Sequence, residues 1–104
     1  MSKFYNITGS TGVTVELIAP DADNNIKSIL LTNVHATADA TVTLFIQDDP
    51  ISGTTSTFNI IHTIAIPADS SLFLDNPTMF RFGTEFGLYI TVGSSDTVDV
   101  MVNQ

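Results

Sequence analysis

The sequence predicts an all-β domain, an antiparallel β-sandwich of jelly-roll-like or immunoglobulin-like type with about eight short strands. Three observations lead there. β-Prone runs recur every 8–12 residues or so, separated by breaks rich in Asp, Gly, Pro and Ser. The clearest runs alternate. Ala40, Val42, Leu44 and Ile46 interleave with Thr41, Thr43, Phe45 and Gln47, and Val98, Val100 and Val102 interleave with Asp99, Met101 and Asn103. Period two buries one face of a strand and frees the other. No segment carries a sustained helical stripe.

Residues 1–12 are polar, contain Gly9 and Gly12, and read as an N-terminal arm or lead-in; residues 13–104 read as the sandwich. The first expected strand, 13–18, places Val13, Val15 and Leu17 on one face and ends at Pro20. Asp21-Ala22-Asp23-Asn24-Asn25 is a turn, because Asp and Asn tolerate left-handed backbone and bond their own main chain. Residues 26–34 are almost continuously apolar, which predicts a central strand covered on both faces. A connection at 35–39 leads to the strand 40–47. Residues 48–57 form the longest loop, with Asp48-Asp49-Pro50 and Gly53. The strand 58–66 closes at Pro67, which has no N–H to give a ladder. A short strand at 71–75 ends at Asn76-Pro77, and 79–82 is expected to add an edge strand before Gly83. The strands 86–92 and 98–102 flank a turn at 93–96. The expected core comprises Val15, Leu17, Leu30, Val42, Leu44, Ile60, Ile64, Leu72, Leu88, Ile90, Val98 and Val100.

Composition narrows the function. At 104 residues the chain is one domain with room for a single core. It is 43% hydrophobic and only 13% charged, unlike a disordered chain. With no cysteine it has no disulfide framework, thiol nucleophile or thiolate metal site. Its formal charge is −8, and the bases Lys3, Lys27 and Arg81 are scattered. Phosphate neutralisation needs clustered bases, so no nucleic-acid or anionic-membrane partner is expected. The start Met1-Ser2-Lys3-Phe4-Tyr5 lacks a signal-peptide apolar stretch. Asn6-Ile7-Thr8 matches a glycosylation sequon, read here as chance.

No catalytic constellation is expected, and neither a metal nor a cofactor. His62 falls in phase with Phe58, Ile60, Ile64 and Ile66, which points it inward as a hydrogen-bonded core or rim histidine. His35 lies at a strand end, in a solvated loop. No serine occupies a nucleophile elbow. Asp21, Asp23 and Asn24 offer oxygen ligands, but the EF-hand glycine and closing glutamate are missing, so an ordinary polar turn is preferred. Asp48, Asp49 and Asp69 are discounted likewise.

The faces opposite the expected core carry more. Ile18, Phe45, Ile61, Phe73, Tyr89 and Met101 fall there among threonines, where a solvated sheet face reads polar. Such a face suits contact between subunits, with Phe45, Ile61, Phe73 and Tyr89 as the interface candidates.

Two stretches are also familiar in combination. One is Ile26-Lys27-Ser28-Ile29-Leu30-Leu31-Thr32-Asn33-Val34 followed by Ala40-Thr41-Val42-Thr43-Leu44-Phe45. The other is Ile64-Ala65-Ile66-Pro67-Ala68-Asp69-Ser70-Ser71-Leu72 followed by Gly87-Leu88-Tyr89-Ile90-Thr91-Val92. Together they resemble the small β-sandwich virion structural proteins of tailed bacteriophages. The resemblance covers 26–102 and departs at 76–83, where Met79, Phe80 and Phe82 stand in place of a shorter linker. It implies a non-enzymatic structural role in capsid decoration, neck, tail or fibre. It also implies a homo-oligomer that meets other virion proteins, and a virion assembled in the host cytoplasm. It transfers no active-site residues. The alternative is a ligand-binding module for carbohydrate or a cell surface. Such modules stack sugars on Trp or Tyr, whereas this chain has no Trp and only Tyr5 and Tyr89.

Overall fold

The computed structural model describes residues 2–8, 14–22, 25–48, 53–93 and 96–104. The strands are β1 (Lys3–Thr8), β2 (Thr14–Ile18), β3 (Ser28–Asn33), β4 (Ala40–Asp48), β5 (Thr57–Ile66), β6 (Ser71–Leu74), β7 (Phe86–Val92) and β8 (Thr97–Asn103). They form two four-stranded sheets, ordered β1-β8-β3-β6 and β2-β7-β4-β5. The pairs β1/β8, β2/β7, β3/β6 and β4/β5 are all antiparallel. The chain is thus one long hairpin bent at the β4–β5 connection, its doubled ribbon rolled into two layers. The further pairs β3/β8 and β4/β7 seal each sheet. This is jelly-roll connectivity, which settles the choice the sequence left open.

The core lies between the layers. Ile7, Ile29, Leu31, Val98, Val100 and Val102 descend from one sheet. Leu17, Ile18, Val42, Leu44, Leu88, Ile90 and Val92 rise from the other. Asn33 is the buried polar residue among them, and its side-chain amide nitrogen and oxygen are both hydrogen-bonded. Its Nδ2 donates to the carbonyls of Ala38 at 2.9 Å and Ile66 at 3.0 Å, and its Oδ1 accepts from His35 N–H at 2.9 Å. That network fastens the end of β3 to the end of β5 in the opposite layer.

Several expectations are corrected. Residues 3–8 are not an irregular lead-in but β1, paired with β8 over six residues. Residues 77–80 form a 3₁₀ turn, Pro77–Phe80, rather than an edge strand; Asn76 caps it by accepting from Thr78 N–H. Strand β3 buries Ile29 and Leu31, and Leu30 faces outward, so only one face is fully covered. Ile64 is 40% exposed because β5 is the sheet edge and no further strand covers it. Ile18, assigned to a free face, is fully buried.

The placements of Ile18 and of His62 follow from bulges. In β2, Glu16 pairs with Tyr89 and Ile18 with Leu88, so Leu17 is an extra residue and both Leu17 and Ile18 turn inward. In β5, Leu44 pairs with Ile61 and Val42 with Ile64, so Thr43 alone faces His62 and Thr63. Thr63 adopts φ 54°, and its N–H donates to Thr43 Oγ1 at 2.9 Å instead of to a ladder carbonyl. Alternation therefore breaks at His62, which is exposed rather than inward. Val13, Asp23, Asn24 and Asp49 lie outside the described residues.

Candidate functional site

The outer faces of the two sheets are the candidate sites, and strand register decides what each displays. Cross-strand partners in an antiparallel pair project from the same face. On the β2-β7-β4-β5 face, Glu16 pairs with Tyr89, Tyr89 with Phe45, and Phe45 with Asn59. Phe45 and Tyr89 stack, with ring centroids 5.6 Å apart and an interplanar angle of 21°. Each ring is half-buried, and the pair ends in a carboxylate on one side and an amide on the other. The adjacent row is Thr14, Thr91 and Thr43, in which Thr14 and Thr91 share a hydroxyl hydrogen bond of 2.8 Å. An aromatic pair in a polar, threonine-rich field results.

The β1-β8-β3-β6 face differs. Phe4 pairs with Met101, Met101 with Leu30, and Leu30 with Phe73. One residue from each strand thus joins an unbroken apolar row across the sheet, about 14 Å long at the usual inter-strand spacing. Phe4 is 69% exposed, Phe73 55% and Met101 38%. The next row is polar, with Asn6 Nδ2 donating to Asp99 Oδ1 at 2.7 Å and Thr32 sharing a hydrogen bond with Ser71 at 3.0 Å. Asp99 is the one charged residue among the outward positions of these four strands.

The four expected interface residues therefore do not form one surface. Phe45 and Tyr89 share one outer face, and Phe73 lies on the opposite one. Ile61 pairs with inward-facing Leu44 and packs half-buried against the core. Sequence reasoning missed Phe4 and Leu30, the first because β1 was read as an arm and the second because it was assigned to the core. The alternation Phe4, Asn6, Thr8 against Tyr5, Ile7 was the available signal.

The acids gather at the ends of the sandwich. Asp21, Asp39, Asp69, Asp75, Glu85 and Asp96 all lie in connections between strands. Asp21 N–H donates to Thr84 O, and Asp69 N–H to His35 O, so the connections meet pairwise at the two ends. His35 Nδ1 accepts from the N–H groups of Thr37 and Ala38, both at 3.2 Å, which shapes its own turn. No group of three or more His, Cys, Asp or Glu side chains suited to a metal occurs among the described residues. Among them, too, no helix is long and apolar enough to cross a membrane.

The Tyr5 hydroxyl is electrostatically perturbed. Burial raises it above the ordinary phenol range, and the Glu16 carboxylate adds to the effect.

No family model and no curated protein matches the sequence. Solved structures match the fold. The crystal structure of PirA aligns over 99% of this chain and 93% of that chain, with 12% identity and a TM-score of 0.59. A chain of the T13 infectious bursal disease virus particle aligns over 98% of this chain, with 14% identity and a TM-score of 0.50. This chain spans 31% of that viral chain. At such identities the likeness is one of architecture, that of a two-layered β-sandwich.

Proposed function

We propose that this chain is a non-enzymatic structural subunit of a virion, of the tailed-bacteriophage kind its sequence resembles, which works by packing an outer sheet face against other copies or other virion proteins. The observation that carries the proposal is the row Phe4, Met101, Leu30 and Phe73. A solvated jelly-roll face has no use for apolar side chains aligned across all four strands, whereas an interface core does. The concentration of acids at the sandwich ends supports it, because it leaves the broad faces free to pack. The fold shared with a virus particle chain supports it at the level of architecture.

The test is to raise antibody against the recombinant chain and probe particles purified from a lysate of the host that carries its gene. The chain is expected in the particles at a fixed copy number relative to their major protein. Its absence from washed particles, together with specific binding on a glycan array, would replace this reading with that of a ligand-binding module.

A further inference from the structure

We infer that the β1-β8-β3-β6 face is an isologous contact with a second copy of this chain, the two sheets meeting face to face with row laid on row. This deepens the structural reading above by naming the partner and the face.

The geometry of the row argues for a copy. Phe4, Met101, Leu30 and Phe73 are in cross-strand register, so the row runs straight across the strands. A two-fold axis in the plane of contact, along the row, maps a straight row onto itself, and each apolar residue then meets an apolar residue. A bent row would not superpose in this way. Face-to-face sheets pack about 10 Å apart, the separation that such side chains fill.

Charge points the same way. Two copies, each of net charge −8, repel unless they meet where neither carries acid. Asp99 is the one charge at the outward positions of the four strands, and Asn6 already binds it. The same axis displaces Asp99 from its own mate by about 13 Å along the strands, which with the sheet separation of about 10 Å leaves the two carboxylates about 17 Å apart. The opposite face lacks the row, since its Phe45–Tyr89 pair stops at Glu16 and Asn59.

Area sets the strength. Four strands of about six residues present roughly 400 Å² in projection, near half of the ~800 Å² per partner in a standard stable complex. The isolated dimer is therefore weak and concentration-dependent, and becomes durable when repeated within an assembly. It tightens from low to moderate ionic strength as salt screens the like charges.

Sedimentation velocity of the full chain across a wide concentration range tests this. The parent is expected to shift from monomer to dimer with concentration. Phe73→Asp and Met101→Asp, both at exposed positions, should weaken the dimer by about thirtyfold or more, as central interface residues do. Phe45→Asp on the other face should leave it unchanged. A second readout exploits the absence of native cysteine. Met101→Cys should be joined by a short bismaleimide into a covalent dimer, and Thr43→Cys on the opposite face should not. A parent that stays monomeric throughout, a dimer insensitive to both row variants, or crosslinking through Thr43→Cys alone would overturn the inference. Monomeric chain found in virions would sink this contact and spare the structural reading; dimeric chain absent from virions would do the reverse.

Discussion

The Tyr5 hydroxyl donates to the Leu17 carbonyl at 2.6 Å, and so joins β1 of one sheet to β2 of the other. Leu17 is the residue that the β2 bulge takes out of register with β7. The bulge turns both Leu17 and Ile18 into the core and leaves the Leu17 carbonyl to find a partner outside the ladder. Tyr5 supplies it, with its ring packed against the core and its hydroxyl at the seam. Removing that hydroxyl by Tyr5→Phe is expected to cost about 0.5–1.5 kcal/mol, the usual net value of such a bond. Denaturant unfolding measures it, and a variant as stable as the parent would show that the bond contributes nothing.

The same hydroxyl makes stability fall at alkaline pH. Its folded pKa is raised by burial and by Glu16, so the unfolded chain loses the proton first. Below about pH 10 both states hold the proton and the contribution is intact. As pH rises past the unfolded value toward the folded one, unfolding releases a proton and stability declines. Unfolding curves between pH 8 and 11, roughly the range that brackets an ordinary phenol, should show a shallower decline in Tyr5→Phe than in the parent. Equal slopes would count against a buried hydroxyl.

Asn33→Ala should be among the most damaging single changes outside the aliphatic core. It strips partners from the Ala38 and Ile66 carbonyls and the His35 N–H at a buried seam. Leaving such groups unsatisfied costs about 1–3 kcal/mol. For a domain of this size that lowers Tm by roughly 4–8 °C per kcal/mol. Differential scanning calorimetry decides it, and a drop of a degree or less would mean that the seam repacks.

In the core proper, Leu44→Ala and Ile90→Ala each empty a fully buried site between the layers. Each should cost about 2–5 kcal/mol. His62→Ala, by contrast, should stay within about 0.5 kcal/mol of the parent, because the bulge puts His62 on the surface. A large loss on replacing His62 would restore the inward orientation that simple alternation suggests.

Gly87 tests how closely β7 and the end of β2 approach each other within their sheet. A Cβ there would lie 2.9 Å from the Ile18 carbonyl oxygen and 2.9 Å from Pro20 Cδ. Backbone cannot yield as a flexible side chain does, so Gly87→Ala should destabilise by about 1–3 kcal/mol. Urea midpoints compared at constant m would reveal it.

The fold class, most strand positions and most of the core are legible in local sequence. Period-two alternation at 40–46 and 98–102 and the Pro and Asp/Gly breaks are local signals, written residue by residue. What the surface lacks is legible too, since charge and cysteine content need no fold. Which outward residues become neighbours depends on strand pairing, which local sequence does not record. Phe4, Leu30, Phe73 and Met101 are remote in the chain, and only the pairings β1/β8, β8/β3 and β3/β6 bring them into one row. Facing was likewise undecidable wherever a bulge inserts a residue. One extra residue exchanges the two faces of everything beyond it, and the bulges at Leu17 and at His62–Thr63 arise from fitting one strand to its neighbour, which no single run of sequence records.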